Sequence, residues 1–337
     1  MNAPIFAGID VGGTNIKIGL IDTEGTVIAQ EKFPTQPKDH SDIALQESNR
    51  RIIAMLESCG IALHDLAGIG LATPGPMDAA HGKLLTPFNL PGWHHQEVRD
   101  AMQTISGKPV AFANDVDAAG FGEYWLGAGK QYSSVVMIAL GTGVGGGIII
   151  DDQMIAGAHG HGAEVGHMIV DPSEDARLCS CGKRGHLEAY SSATALVKNV
   201  RQKLEAGSSS VLQDIYKQAP ESLTPVDVFK AAQQDDQLAL RTISDVAFHL
   251  GTGVVAIAHI IDPEAVLLGG AMSFGGNESP IGANFVEQIR NRVRNCSLPG
   301  IGAQLTIDFS VLGSDAGFIG AAGLAKKQHD ATLQTQQ

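Results

Sequence analysis

Short apolar runs alternate with glycine-rich turns at the start of the chain. The runs Phe6–Asp10, Ile16–Asp22 and Val27–Phe33 predict three strands, of which the first two are joined by a turn at Gly12-Gly13. Apolar residues then recur at helical spacing over 41–58, so that a helix is predicted there. The opening segment is therefore predicted to form three strands followed by a helix.

Two further buried strands are predicted in the first half of the chain. They cover Leu66–Ala72, which ends in the turn Thr73-Pro74-Gly75-Pro76, and Val110–Ala113. A short helix over 97–105 separates them, and another helix begins near Val116. Strands alternating with helices in this way indicate an α/β protein.

The opening pattern returns near the middle of the chain. Val135–Leu140 and Gly146–Ile150 flank a second glycine turn, as the first two strands flank the first turn. An apolar helix over 246–260 and a strand over 265–268, which ends in Gly269-Gly270, follow later. Two such hairpins, each followed by helices and strands, predict a duplicated α/β domain.

Composition narrows the classes of partner. The net charge of −13 disfavours nucleic acid, which requires clusters of Lys and Arg, but it is compatible with a nucleotide held by backbone N–H groups and a cation. The longest apolar run, Val135–Ile150, is broken by glycines, and the start of the chain lacks a basic leader, so neither a membrane segment nor a signal peptide is expected. Four cysteines, two of them in one Cys-x-Cys pair, disfavour a disulfide framework and favour the cytoplasm.

The glycine turns are candidate phosphate sites, because glycine lets backbone N–H groups approach phosphate oxygens. In the first turn an acid, Asp10, precedes the glycines and would repel phosphate unless a cation lay between them, so a Mg²⁺ site is predicted. A single glycine turn is more often a plain hairpin, whereas two in a duplicated fold favour ATP binding. The candidate residues for ATP and Mg²⁺ are Asp10, Gly12, Gly13, Thr14, Asn15, Lys17, Gly141, Thr142, Gly143, Gly269 and Gly270.

Asp115 is the candidate general base. It follows the strand that ends at Ala113, and ligands of open α/β sheets bind at the carboxyl ends of strands. Transfer of a phosphoryl group to an alcohol requires a group that accepts the hydroxyl proton, and the neighbouring Asn114 can both donate and accept hydrogen bonds, which suits a polyol. The alternative for Asp115 is a helix N-cap, and Asp117 is the nearby alternative acid.

A cluster of His and Cys residues predicts a zinc site. Cys179 and Cys181 form a Cys-x-Cys pair, His186 follows in a loop bracketed by glycine, and His167 lies upstream. Four such ligands fit a closed tetrahedral Zn²⁺ site of structural type, whereas the alternative is two buried thiols and two unrelated histidines.

As a set, these motifs resemble the ROK family and, within it, the bacterial ATP-dependent glucokinases. The resemblance covers nearly the whole chain. It is carried by Asp10-Val11-Gly12-Gly13-Thr14, Thr73-Pro74-Gly75-Pro76, Asn89-Leu90-Pro91-Gly92-Trp93, Asn114-Asp115-Val116-Asp117-Ala118-Ala119, Leu140-Gly141-Thr142-Gly143-Val144-Gly145-Gly146-Gly147, Glu164-Val165-Gly166-His167 and Cys179-x-Cys181-Gly182-x-x-Gly185-His186-Leu187-Glu188. One departure is that His186 stands where the family usually has a third cysteine, so that the expected site is Cys₂His₂.

The resemblance implies an actin-like ATPase (ribonuclease H-like) fold, with glucose bound between two α/β domains and phosphorylated at its 6-hydroxyl. It implies that Asp115 is the base, that His167 ligates zinc as well as sugar, and that a homodimer forms. The sugar-binding residues that it implies are Gly75, Asn89, Asn114, Asp115, Glu164, His167 and Glu188. The domains are expected at 1–114 and 115–314, with the zinc loop at 167–186 and a C-terminal helix at about 315–327 that packs on the first domain.

Several alternatives stay open at this point. Fructose, mannose, N-acetylglucosamine and N-acetylmannosamine compete with glucose as substrate, and polyphosphate or ADP with ATP as donor. A sugar-responsive repressor of the same family is disfavoured, because Asp10 leaves no room for a preceding DNA-binding domain and the charge is acidic. An actin- or chaperone-like ATPase would leave Asn114, Asp115 and the zinc-braced Glu188 unexplained.

Overall fold

The computed structural model describes residues 3–335 as a mixed α/β protein. In chain order, the strands are β1 Ile5–Val11, β2 Asn15–Ile21, β3 Val27–Pro34, β4 Leu66–Thr73, β5 Met77–Asp78, β6 Lys83–Leu84, β7 Val110–Asn114, β8 Ser134–Leu140, β9 Val144–Ile150, β10 Gln153–Met154, β11 Ala265–Gly269 and β12 Thr306–Phe309. The α-helices are α1 Ser41–Ser58, α2 Val98–Ser106, α3 Asp115–Trp125, α4 Glu188–Ser191, α5 Ala193–Glu205, α6 Gln213–Gln218, α7 Pro225–Ala232, α8 Gln237–Ile261, α9 Pro280–Cys296, α10 Pro299–Gln304 and α11 Ala316–Thr335.

Two five-stranded sheets repeat one topology. The first has the strand order β3-β2-β1-β4-β7 and the second β10-β9-β8-β11-β12. In the first sheet β1 pairs antiparallel with β2 and parallel with β4, which in turn pairs parallel with β7. In the second, β8 pairs parallel with β11 and β11 parallel with β12. The predicted duplication of an α/β unit is therefore confirmed.

Helices cover both faces of the first sheet, which explains why its central strand is apolar along nearly its whole length. One face packs against α1 through residues such as Leu45 and Ile52, and the other against Phe318 of α11. A β-carbon at Gly8 or at Gly70 would overlap the backbone of α11. These two glycines therefore serve close packing of a helix on the sheet rather than ligand binding.

The chain forms two compact units whose boundary differs from the predicted one at 114/115. Within the described residues, the first unit comprises 3–132, 147–163 and 311–335, and the second 133–146 and 164–310. Helix α3 stays in the first unit because it packs closely on α11. Glycines permit this approach, since a β-carbon at Gly320 would overlap the backbone at Ala118 and one at Gly122 would collide with Ala316.

Two helices are longer than their sequence signals predict. Helix α8 starts at Gln237 rather than near Val246, because Asp236 caps it by accepting a hydrogen bond of 2.9 Å from the N–H of Ala239. Helix α11 continues to Thr335, beyond the predicted end of the C-terminal helix at about 327, and 336–337 lie outside the described residues.

Helix α8 is long and apolar enough, by length and composition alone, to cross a membrane. Half of its most apolar 18-residue window is buried inside the protein, however, which is typical of a core helix.

Candidate active site and metal centre

The first glycine turn, between β1 and β2, presents an acid and a lysine side by side. Asp10 at the end of β1 is the direct cross-strand partner of Lys17 in β2. The turn is closed by a hydrogen bond of 2.9 Å from the N–H of Gly12 to the carbonyl of Asn15. A β-carbon at Gly13 would lie 3.1 Å from the Cβ of Asn89, so the turn and the Asn89 loop are in close approach.

Asp10 lies in an environment that disfavours its ionised form. Burial raises the pKa of its carboxyl to about 7, the charge of Asp115 adds to that rise, and Lys17 opposes it. Lys17 compensates only in part, because its ammonium group donates to Oδ1 of Asp315 at 2.9 Å and to the carbonyl of Ser314 at 2.5 Å. Asp10 and Asp115 thus have too little positive charge beside them, and a divalent cation bound there would balance their negative charge.

Asp115 and Asn114 lie at the carboxyl end of β7. Asn114 is paired with Thr73 of β4, which brings the turn after Thr73 alongside, and its Nδ2 lies 3.5 Å from the position of a β-carbon on Gly75. The N-cap of α3 is Asn114, not Asp115, because its Oδ1 accepts the N–H of Val116 at 2.9 Å. Oδ1 of Asp115 shares that N–H at 2.9 Å.

The pKa of Asp115 is raised by burial, and hydrogen bonds from the backbone and from Asn114 oppose that rise. A carboxylate with a raised pKa is a stronger base than a solvated one. The predicted base therefore lies in an environment that suits proton abstraction. Asp10 pairs with Ala72, and Ala72 pairs with Ala113 two residues before Asp115, so both acids lie at one edge of the sheet.

The Asn89 loop is anchored by the residues that follow it. Leu90 and Trp93 are fully buried, and the N–H of Gly92 donates to the carbonyl of Pro37 at 2.8 Å. Phe88, by contrast, is 93% exposed directly beside Asn89. The sequence analysis did not single out Phe88, although it is an aromatic residue next to the predicted sugar ligand Asn89.

The second glycine turn, between β8 and β9, is held by the segment that starts α4. The N–H of Val144 donates to Oε2 of Glu188 at 3.1 Å, and a β-carbon at Gly143 would overlap that oxygen. The N–H of Ala193 donates to the carbonyl of Gly141 at 2.8 Å. The third predicted turn lies nearby, because Gly269 pairs with Ala139 at the end of β8. Gly270 follows it with a φ of +89°, a conformation that favours glycine.

Four predicted metal ligands do converge. The candidate ligand atoms of His167, Cys179, Cys181 and His186 all lie within 4.8 Å of one another. Nδ1 of His186 is 3.3 Å from Nδ1 of His167 and 3.2 Å from Sγ of Cys181. Bond lengths of about 2.0–2.3 Å at tetrahedral zinc place ligand atoms at separations of this size. The residues therefore fit zinc, with His186 in the place of a third thiolate.

The surroundings of this cluster connect it to two predicted sugar ligands. Nε2 of His167 faces Oε2 of Glu164 at 3.9 Å. Oε1 of Glu188 accepts a hydrogen bond from the hydroxyl of Ser180 at 2.5 Å and contacts Sγ of Cys179 at 3.5 Å. Ser180 was missed by sequence reasoning, because a serine between two cysteines carries no signal of its own.

Each unit therefore brings together part of the predicted set. The first unit assembles Asp10, Gly12, Gly13, Thr14, Asn15, Lys17, Gly75, Asn89, Asn114 and Asp115. The second assembles Gly141, Thr142, Gly143, Glu164, His167, Glu188, Gly269, Gly270 and the other metal ligands.

Comparison with known proteins gives consistent matches along the chain. Residues 6–328 match the model of the ROK family. The chain is 32% identical over 327 residues to a glucokinase of Halalkalibacterium halodurans, covering 97% of this chain and 96% of that protein. A ROK family glucokinase from Streptomyces griseus, in complex with glucose and AMPPNP, has 31% identity and a TM-score of 0.75, covering 96% of this chain and 99% of the other.

A ROK hexokinase from Thermus thermophilus matches with a TM-score of 0.81 at 27% identity, covering 97% of this chain and 99% of the other. A xylose repressor of Caldicellulosiruptor bescii is 28% identical in an alignment that covers 94% of this chain and 77% of that repressor. The two glucokinases have higher identities to this chain than the repressor has, and they match over nearly the full length of both partners. The duplicated sheets, the paired acids and these matches together show that the chain belongs to the ROK family, as a sugar kinase with the actin-like ATPase fold.

Proposed function

We propose that the protein is an ATP-dependent glucokinase that converts glucose to glucose 6-phosphate. The observation that carries the proposal is the pair Asp10 and Asp115, two interacting acids at the same edge of the first sheet, at the ends of β1 and β7 with β4 between them. The glucokinase names of the most similar relatives, and the glucose and AMPPNP bound by the Streptomyces griseus enzyme, support this choice of substrate and donor.

In this proposal Asp115 acts as general base. As the 6-hydroxyl oxygen forms its bond to the γ-phosphorus, the bond from that phosphorus to the β,γ-bridging oxygen breaks, ADP leaves, and the hydroxyl proton passes to the carboxylate of Asp115. Asn114 orients the substrate through its Nδ2, because its Oδ1 is occupied by the N–H of Val116. Burial of Asp115 favours the protonated product of this step.

Asp10 is proposed to hold Mg²⁺, directly or through water. Bound Mg²⁺ would neutralise charge on the β- and γ-phosphates of the nucleotide. The glycine turns would donate backbone N–H groups to phosphate oxygens, with Gly12–Asn15 in the first unit and Gly141–Gly143 in the second. Lys17 contributes positive charge next to Asp10, and Gly269-Gly270 is proposed to lie beneath the adenosine.

The predicted sugar ligands stay part of the proposal. The first unit offers Gly75, Asn89 and Asn114. The second offers the carboxylates of Glu164 and Glu188 and the imidazole of His167. Zn²⁺ at His167, Cys179, Cys181 and His186 would fix the loop that carries these groups. Its chemistry is structural, because four protein ligands leave no open position.

Three further properties form part of the proposal. We propose a homodimer, because closed twofold assemblies are the commonest form of soluble oligomer. We propose that the enzyme works in the cytoplasm, where ATP and reduced thiols are available. Fructose, mannose, N-acetylglucosamine and N-acetylmannosamine are the competing substrates, because selectivity among them depends on a few hydrogen bonds.

A screen of these hexoses and N-acetylhexosamines at fixed ATP tests the substrate, and glucose should give the highest kcat/KM. The Asp115→Asn variant tests the base. It should lower kcat by about 10³-fold, since removal of a general base costs about 10²–10⁴, while glucose binding stays measurable by calorimetry.

The matched control is Asp117→Asn, which removes an acid two residues further along α3. It should retain most of the activity. Near-normal turnover of Asp115→Asn, or loss of turnover in Asp117→Asn alone, would move the base away from Asp115. ATP consumption that does not depend on sugar would instead favour an actin- or chaperone-like ATPase.

A further inference from the structure

Glu188 joins two parts of the second unit that the proposed function treats separately. Its Oε1 accepts the hydroxyl of Ser180, which lies between the two cysteines of the metal cluster, at 2.5 Å. Its Oε2 accepts the N–H of Val144 in the second glycine turn at 3.1 Å. One carboxylate therefore connects the metal loop with the turn that is proposed to hold ATP phosphates.

Two more hydrogen bonds tie the same segment to the same turn. The N–H of Ala193 donates to the carbonyl of Gly141 at 2.8 Å, and the hydroxyl of Thr194 donates to the carbonyl of Thr142 at 2.8 Å. Residues 188–194 therefore contact every part of the turn from 141 to 144. We call this segment the 188–194 clamp.

The metal ligands hold the N-terminal end of the clamp, at Glu188, in place. His186 lies two residues before Glu188, and the N–H of Ala189 donates to the carbonyl of His186 at 3.0 Å. Sγ of Cys179 also contacts Oε1 of Glu188 at 3.5 Å. A metal that sets the positions of Cys179 and His186 therefore sets where the carboxylate of Glu188 lies.

The second glycine turn leaves little room for the carboxylate of Glu188 to move. A β-carbon at Gly143 would overlap Oε2 of Glu188, so the turn and the carboxylate are already in close contact. A displacement of Glu188 must therefore displace the N–H of Val144 or break its hydrogen bond. Glu188 can still accept sugar hydroxyls, because a carboxylate offers about four lone-pair sites.

We propose that the 188–194 clamp makes metal binding and nucleotide binding mutually dependent. Ser180, which donates to Glu188 at the start of the clamp, and Thr194, at its end, are the positioning residues. The inference rests on the proposed function, in that the second turn must hold phosphate. Coupling between two sites is reciprocal, so the bound metal should tighten nucleotide binding by the same factor by which nucleotide tightens the metal.

The test measures binding rather than turnover. AMPPNP with Mg²⁺ is titrated calorimetrically into the zinc-loaded protein and into protein depleted with a chelator, both without sugar and both checked for fold by circular dichroism. The dissociation constant should rise about tenfold on depletion, a typical coupling factor. Zinc retention against a competing chelator should improve by a similar factor when AMPPNP is present.

Thr194→Val keeps the proposal testable if the depleted protein unfolds. It removes one hydrogen bond to the turn and no metal ligand, so AMPPNP should bind about fivefold more weakly at full zinc content. Ser180→Ala should reduce the coupling factor between zinc and AMPPNP. The control is Thr252→Val in α8, where the hydroxyl donates to the carbonyl of Phe248 in the same helix and accepts a hydrogen bond of 3.3 Å from Nε of Arg292 in α9.

Four outcomes separate this inference from the proposed function. Equal AMPPNP affinity in folded loaded and depleted protein would overturn it, and so would unchanged affinity in Thr194→Val. Failure of the wild-type protein to bind AMPPNP at all would refute the proposed function, and the clamp with it. Weaker binding in Thr194→Val but not in Thr252→Val supports the clamp.

Discussion

The two glycine turns occupy equivalent places in two sheets of the same topology, yet their surroundings differ. The turn after β1 follows an acid, Asp10, whose pKa is raised to about 7 by burial and by Asp115. The turn after β8 follows Ala139 and Leu140, and its nearest carboxylate is Glu188, which accepts a backbone N–H of the turn. The duplicated topology thus carries a turn beside two acids, which is the proposed cation site, in one unit and a turn braced by Glu188 in the other.

The strongest test of this difference is Asp10→Asn. The substitution keeps the shape of the side chain but removes the charge that would hold Mg²⁺, so kcat should fall by about 10²–10³-fold at saturating Mg²⁺ and ATP, a loss typical of one lost electrostatic stabiliser. Steady-state kinetics as a function of Mg²⁺ measures it. Wild-type kcat in this variant would remove Asp10 from the cation site.

The braced turn gives a matched pair of substitutions. In Gly143→Ala the new methyl group would overlap Oε2 of Glu188, whereas at Gly141 no atom lies within 4 Å of the new position. Gly143→Ala should therefore lower the free energy of unfolding by about 1–3 kcal/mol, the usual cost of overpacking, and Gly141→Ala by much less. Chemical denaturation followed by circular dichroism gives both values, and equal losses would show that Glu188 does not brace the turn.

Much of this arrangement was predictable from the sequence, and the reason is locality. The α1 helix was predicted with its observed bounds, and the strands around both turns within two residues, because period, caps and glycines act over a few positions. The four metal ligands were also predictable, since three of them lie within eight residues. What the sequence did not indicate was contact between distant segments.

The ion pair of Lys17 with Asp315 is the clearest example, because 298 residues separate its partners. The start of α8 was missed for a different reason, since polar residues within 241–245 separate its first turn from the apolar run that begins at Val246. Its capping residue, Asp236, therefore precedes that run by several positions. The placement of α3 in the first unit depends on glycines in two helices that contact only after folding. Tertiary packing decides such features, and no local pattern encodes it.

Asp10 also predicts how stability depends on pH in the protein without Mg²⁺. Its folded pKa of about 7 lies above the ordinary value of 3.8, so between these pH values the folded state keeps a proton that the unfolded state has lost. Stability should therefore decrease as the pH rises from about 4 to 7, by at most about 4 kcal/mol, because each pKa unit of difference between the folded and unfolded states corresponds to about 1.4 kcal/mol.

Asp10→Asn is the control, because an amide does not titrate. Its unfolding free energy should exceed that of the wild type at pH 7.5, and the difference should vanish near pH 4. Urea denaturation across this range, without Mg²⁺, measures the effect. A difference of the opposite sign, or none, would mean that Asp10 is ionised without cost in the folded protein.

Lys17→Met gives the smallest expected effect and tests whether Lys17 serves mainly its ion pair with Asp315 or the pKa of Asp10 in the first turn. The ion pair with Asp315 is partly exposed, with side-chain exposures of 21% and 39%, so its loss should cost only about 0–1 kcal/mol of stability near neutral pH. Lys17 lowers the pKa of Asp10, however, and its removal should shift the pH window of the Asp10 effect upward. The same denaturation series shows both changes.

If stability falls by several kcal/mol while the pH window stays fixed, Lys17 acts as a structural tie to Asp315. If the window moves while stability barely changes, the lysine serves the electrostatics of the acid pair, which is the role that distinguishes the first turn from the second.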